Sequence, residues 1–122
     1  MQNTTAGFTL LELLLVMTII SILSAVAIPQ YRDFKVKAYD AKAEIELRNV
    51  SLAEELYFSD HDEYLSCTNE ECLTLPSLTK ISEGISVEVQ ADEDSFTATA
   101  HHEKGKRTFS WDSASGGFSS SE

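Results

Sequence analysis

Phe8-Thr9-Leu10-Leu11-Glu12-Leu13-Leu14-Leu15-Val16-Met17-Thr18-Ile19-Ile20-Ser21-Ile22-Leu23-Ser24-Ala25-Val26-Ala27-Ile28 carries a single charged side chain, Glu12. As a helix rising about 1.5 Å per residue, this stretch reaches roughly 31 Å, close to the thickness of a bilayer's hydrocarbon core. Leu, Met and Ala favour helix, and Thr and Ser hydroxyls can bond back to carbonyls of the preceding turn. A run this apolar needs lipid or protein around it, which excludes both a simple soluble domain and a disordered chain. A cleaved secretory signal fits poorly. Such a signal has a basic leader, a shorter apolar core and a small-residue cleavage site after it. Residues 1–7 hold no Lys or Arg, and the helical pattern continues past Pro29.

Glu12 is the anomaly within the run. A carboxylate at membrane depth costs about 3 kcal/mol on insertion scales, so it is normally paired or functional. No Lys, Arg or His stands near it in sequence. A cut between Gly7 and Phe8 creates a free amine four residues away that can serve as its partner.

Outward from this stretch, charge divides the chain of 122 residues into three. Residues 1–31 carry only Glu12, residues 32–48 are near balance, and residues 49–122 hold fifteen acids against four bases. The net charge of −11 repels phosphate backbones and excludes general nucleic-acid binding without a local basic patch. His101, His102, Lys104, Lys106 and Arg107 form the one basic cluster after residue 49. Repetition along a polymer could give it a weak hold on DNA, although a solvated hairpin is the better reading.

Residues 31–59 keep a helical period. Tyr31, Phe34, Ala38, Ala41, Ile45, Leu52 and Leu56 form one stripe; Val36, Tyr39, Ala43, Val50, Ala53 and Tyr57 form its neighbour. Together they offer a broad apolar face for a small sheet. Lys42–Glu46 and Glu44–Arg48 stand at ion-pair spacing. One helix of roughly fifty residues, kinked at Pro29, is expected.

Ser59 to Tyr64 is turn-prone, and residues 65–84 read as a loop broken by Pro76 and Gly84. Ile85 to Ala91 and Phe96 to Ala100 alternate apolar and polar, and a third strand is expected over residues 107–111. Ile85, Val87, Val89, Phe96, Ala98, Ala100, Phe109 and Trp111 share one face. The predicted fold is α+β: a long bent N-terminal helix packed on a three- or four-stranded antiparallel sheet, with a short edge strand near Phe118. The apolar half of that helix serves membrane or fibre core, and its amphipathic half covers the sheet.

Cys67 and Cys72 are the only cysteines. A local disulfide is the first choice, and a zinc site with His101 and His102 is the alternative. Adjacent histidines in a strand point to opposite faces, which counts against zinc. Asp60/Asp62/Glu63 and Asp92/Glu93/Asp94 could attract calcium but lack a dedicated loop, so solvation is the default. No phosphate loop, nucleophile elbow or catalytic His/Cys spacing occurs; no enzyme activity, metal or cofactor is expected.

Gly7-Phe8-Thr9-Leu10-Leu11-Glu12-Leu13, followed by an apolar run ending Ala27-Ile28-Pro29-Gln30-Tyr31, resembles the type IV pilin and pseudopilin family. The likeness is specific over residues 7–34, weaker to Tyr64 in the style of type IVa major pilins, and general in the head. Thr108-Phe109-Ser110-Trp111-Asp112 looks like the close of small type IVa pilin heads.

The resemblance implies a leader over residues 1–7, a membrane and filament-core helix over 8–30, and a globular head over 31–122. It implies cleavage by a prepilin peptidase between Gly7 and Phe8, and N-methylation of Phe8. It assigns subunit assembly to Glu12 and Thr9, and the helix kink to Pro29. It implies a precursor in the inner membrane, partners in the inner-membrane assembly machinery, and a homo-oligomeric helical filament outside the cell. Adhesion, surface motility or DNA uptake would be its work. Two departures stand out: family leaders usually carry Lys or Arg before the glycine, and many relatives have Gly and Ala where Ser21 and Ser24 stand. A type II secretion pseudopilin is the runner-up and a non-polymerising membrane-anchored binding domain the third reading. The aromatic series Phe8, Tyr31, Phe34, Tyr39, Tyr57, Phe58 and Tyr64 also resembles that of electron-conducting pilins, although packing is the commoner use of such spacing.

Overall fold

A computed structural model describes residues 2–122 of the chain, so Met1 of the expected leader lies outside the described residues. Two compact units are present, one ending at Phe34 and the other spanning Lys35–Glu122.

Helix α1 runs Leu10–His61, with Pro29 inside it. Thr9 and Glu12 start it and Asp62 stops it. Asp62 takes a left-handed conformation (φ 56°), and its N–H bonds to Phe58 O at 2.8 Å. Small polar residues such as Asp enter this region at lower cost than bulky ones, and it ends a helix cleanly.

In the unit Lys35–Glu122, α1 is followed by β1 Cys67–Thr68, a 3-10 helix Asn69–Thr74, β2 Ile85–Ala91, β3 Phe96–His102, β4 Thr108–Asp112 and β5 Gly117–Ser121. The strands form one antiparallel meander in the order β1-β2-β3-β4-β5. Five strands therefore stand where three or four were expected. The extra one is β1, inside the segment read as loop, where only Cys67 and Thr68 pair with Val89 and Glu88. Two residues are too few to show alternation, so periodicity could not reveal it.

The alternation expected for β2 and β3 is present residue by residue, with Ile85, Val87, Val89, Phe96, Ala98 and Ala100 buried. Phe109 joins them and Trp111 is half-buried against the same core. The helix answers with Ala43, Leu47, Val50 and Ala53. Of the two neighbouring stripes, only the second packs on the sheet: Ile45 is 58% exposed and Leu52 61%. One face of the helix meets the sheet, and the first stripe is left outside it.

Acidic side chains complete the joint, each accepting bonds from a different connection. Asp40 Oδ1 receives the N–H groups of Lys106 (2.9 Å) and Arg107 (3.0 Å). Glu46 Oε2 receives the Ser82 hydroxyl at 2.8 Å. Glu54 Oε2 receives the Leu65 N–H at 2.9 Å. All three carboxylates are buried. The Lys42–Glu46 pair expected from spacing does not form among the described residues. Glu46 turns to the loop at Ser82, and Lys42 Nζ lies 5.8 Å from the centre of the Tyr39 ring. Glu44–Arg48 does form, at 2.9 Å.

Candidate functional site

The N-terminal unit presents the apolar run without cover. From Phe8 to Ile28, Leu10, Leu11, Leu13, Leu14, Leu15, Ile22, Leu23 and Val26 are all exposed. Among the described residues, α1 is the one helix long and apolar enough to cross a membrane. Thr18 and Ser21 donate their hydroxyls to Leu14 O and Met17 O, both at 2.7 Å, so their polarity is absorbed within the helix.

Gly7 and Phe8 lie just before the helix, outside regular structure, and are exposed. Immediately after them Thr9 and Glu12 form a reciprocal cap. Glu12 N–H bonds to Thr9 Oγ1 at 3.2 Å, while Thr9 N–H and Thr9 Oγ1–H bond to Glu12 Oε2 at 3.0 and 3.1 Å. This is a capping box, which satisfies amides that otherwise have no partner at a helix start. The sequence reading gives Glu12 an amine made by a cut four residues away as its partner and omits its bond to Thr9. The Thr-x-x-Glu spacing was the available signal. Both bonds from Thr9 land on Oε2, so the cap fixes the direction of the carboxylate.

In the head, Cys67 and Cys72 form a disulfide, with Cα atoms 5.1 Å apart. The bond consumes both thiols and removes the zinc alternative. His101 and His102 point to opposite faces: His101 is exposed and His102 buried. His102 Nδ1 accepts the Lys104 N–H at 3.0 Å, and its ring stacks on Tyr39 with centroids 4.3 Å apart. That histidine thus leaves the basic cluster and becomes part of the joint, while Lys104, Lys106 and Arg107 stay exposed.

The two acidic triplets, separate in sequence, approach one another. Asp62, Glu63, Asp92 and Glu93 line one shallow cleft with Tyr64 and Ala91. Among the described residues no group of three His, Cys, Asp or Glu is placed to hold a metal ion. The head aromatics pair locally: Tyr57 stacks on His61, Phe58 on Tyr64, and Tyr64 tilts against Phe96. These contacts tie the end of α1 to the segment after it and to β3, as packing would have them.

Residues 2–28 match the family described as the prokaryotic N-terminal methylation motif. The type IV major pilin protein PilA of Myxococcus xanthus is 39% identical over 64 residues, covering 52% of this chain and 29% of that protein. A fimbrial protein of Neisseria meningitidis is 31% identical over 117 residues, covering 91% of this chain and 68% of its own. The chain belongs to the type IV pilin family. This pilin is also 40% identical over 60 residues to a fimbrial protein of Pseudomonas aeruginosa, covering 49% of the pilin and 39% of that relative. The pilin thus spans well under half the length of two of these relatives. Its family is one of structural proteins, not a known enzyme family.

Proposed function

We propose that this pilin is a structural subunit of a type IV pilus, held in the inner membrane as a precursor and polymerised into a filament at the cell surface. The observation that carries the reading is the exposed apolar helix that opens on Gly7-Phe8 and the Thr9–Glu12 cap. An apolar surface of this extent is stable only in lipid or against other chains. Transfer from lipid into a fibre core keeps every apolar side chain out of water while giving Glu12, until then bonded only to Thr9, a positive counter-ion.

In this reading a prepilin peptidase cuts the exposed bond between Gly7 and Phe8 and methylates the Phe8 amine. Residues 1–7 are the leader, residues 8–30 the membrane and filament-core helix, and residues 31–122 the head. The cap lies entirely beyond the cut, so cleavage leaves it intact and Glu12 remains aimed when the new ammonium of a neighbouring subunit arrives. Pro29 removes one helical N–H bond and provides the point where the helix loosens during packing. The inner-membrane assembly machinery supplies the work. Adhesion, surface motility and DNA uptake are the activities such a filament serves.

Mass spectrometry of the N-terminus in fibres sheared from cells tests the proposal. The expected species begins at Phe8 and carries one added methyl group. Chains in surface material that retain residues 1–7, or absence of the protein from sheared fibres, overturn it.

A further inference from the structure

Glu54 is fully buried (0% exposed), yet only one of its oxygens is satisfied. Oε2 accepts the Leu65 N–H, while Oε1 is buried with no partner among the described residues. The titratable groups facing it are Glu55 from the same helix and Tyr64 from the segment that covers it; the sheet side of the core, Phe96 and Ala98 among it, is apolar. Among the described residues no ion pair reaches Glu54. A buried carboxylate without a cation binds a proton rather than stay charged.

The covering segment has few polar ties beside the ring contacts of Tyr64 with Phe58 and Phe96 and the Cys67–Cys72 bond at its end. Leu65 is tied to Glu54, Ser66 accepts the Ala91 N–H on its hydroxyl at 2.9 Å, and β1 adds two residue pairs to the ladder. Tyr64 and Leu65 are only half-buried, so on this side the cover over Glu54 is itself in contact with water.

We propose that Glu54 is a proton-held latch for the segment 62–68: the neutral carboxyl keeps the segment and β1 in place, and ionisation releases them to let water reach the carboxylate. This goes beyond the filament reading and does not depend on it. The direction of the titration agrees, since burial first, and the charge of Glu55 in support, raise the Glu54 carboxyl above its ordinary 4.5. The Leu65 N–H bond opposes them and is outweighed.

Hydrogen–deuterium exchange on the full chain in detergent micelles, followed across pH and corrected for intrinsic exchange, tests the latch. The expected result is a fall in protection of residues 62–68 of roughly tenfold or more as pH rises through the Glu54 titration, with β3 unchanged, and no such fall in Glu54→Gln. An equal fall in Glu54→Gln, or constant protection in the parent, overturns the proposal. Should Glu54→Gln fold poorly, the 13C shift of the Glu54 carboxyl in the parent decides: a midpoint that coincides with the fall in protection of residues 62–68 supports the latch, and a midpoint that does not overturns it.

Discussion

Asp40 and Lys106 stand 66 positions apart in the chain and meet through a 2.9 Å bond from the Lys106 amide to Asp40 Oδ1. The Arg107 amide converges on the same oxygen, and the approach is close enough that a methyl group at Gly105 would overlap it. One helical carboxylate thus sets the position of the whole β3–β4 turn. Replacing it with Ala leaves two amides to find water at an exposed turn. Asp40→Ala is expected to lower the stability of the head by about 1–2 kcal/mol, and Asp40→Asn, which keeps an acceptor oxygen, by less. Denaturant unfolding of the full chain in detergent, followed by Trp111 fluorescence, checks the order; equal losses would mean that the oxygen is not the holding group.

Glu54 makes an opposite contribution, and its sign depends on pH. Its carboxyl is raised in the folded head by burial, so the folded state binds the proton more tightly than the unfolded chain. The stability this supplies is fully present below the unfolded value, near 4.5, and is lost as pH rises through the folded value. Glu54→Gln removes the titration while keeping an acceptor for Leu65. Its stability is expected to be flatter with pH than the parent's and to exceed it at the alkaline end. Unfolding midpoints measured from pH 4.5 upward give the comparison; a parent curve parallel to that of the variant contradicts it.

These buried acids also explain what the sequence could not convey. The alternation of Ile85 to Ala91 and Phe96 to Ala100 is intrinsic to a sheet with one wet face, so those stretches were legible without neighbours, while the continuation of β3 to His102 was not. The apolar run from Phe8 and the cysteine pair were legible for the same reason, since each carries its own chemistry. The choice between two adjacent helical stripes was not. Ile45 and Leu52 are at least as apolar as Ala43 and Val50, only the sheet decides which pair is covered, and Leu47, which stands in neither stripe, is buried with the second. Asp40, Glu46 and Glu54 flank the winning stripe, and a charge there reads as solvent-facing until the loop amides it serves are in view. The Thr9–Glu12 cap is different: its spacing was visible, but the search for an amine partner drew attention away from a local one.

The Cys67–Cys72 bond closes a short loop containing most of the 3-10 helix, with both cysteines buried. Cross-linking over so few residues restricts the unfolded chain modestly, by about 2 kcal/mol in the chain-entropy picture. The paired change Cys67→Ser with Cys72→Ser is expected to cost that much and to loosen β1, which has only two residues in the ladder. The strands β3 and β4 lie further along the meander and should keep their protection. Amide exchange in reduced and oxidised protein makes the test, and loss of protection throughout the sheet would show that the bond supports more than its own loop.

Glu12 does two jobs in the proposed cycle, and substitutions can separate them. As the third residue after the capping Thr9 it accepts from Thr9, which needs an oxygen but no charge. As the partner of a neighbour's amine it needs the charge. Glu12→Gln keeps a carbonyl oxygen for the cap at a cost of a few tenths of a kcal/mol, and leaves the arriving ammonium unpaired in an apolar core, where an uncompensated charge is far more costly. Thr9→Val does the reverse: it keeps the carboxylate and removes the hydroxyl, which costs about 1 kcal/mol at the helix start. Membrane levels of both variants should therefore match the parent. Filament yield in sheared fractions should collapse for Glu12→Gln and fall only partly for Thr9→Val. If both variants assemble equally well, the charge of Glu12 plays no part in joining subunits. If Thr9→Val is the worse of the two, the cap rather than the charge controls assembly, because a loose helix start cannot present the carboxylate in a fixed direction.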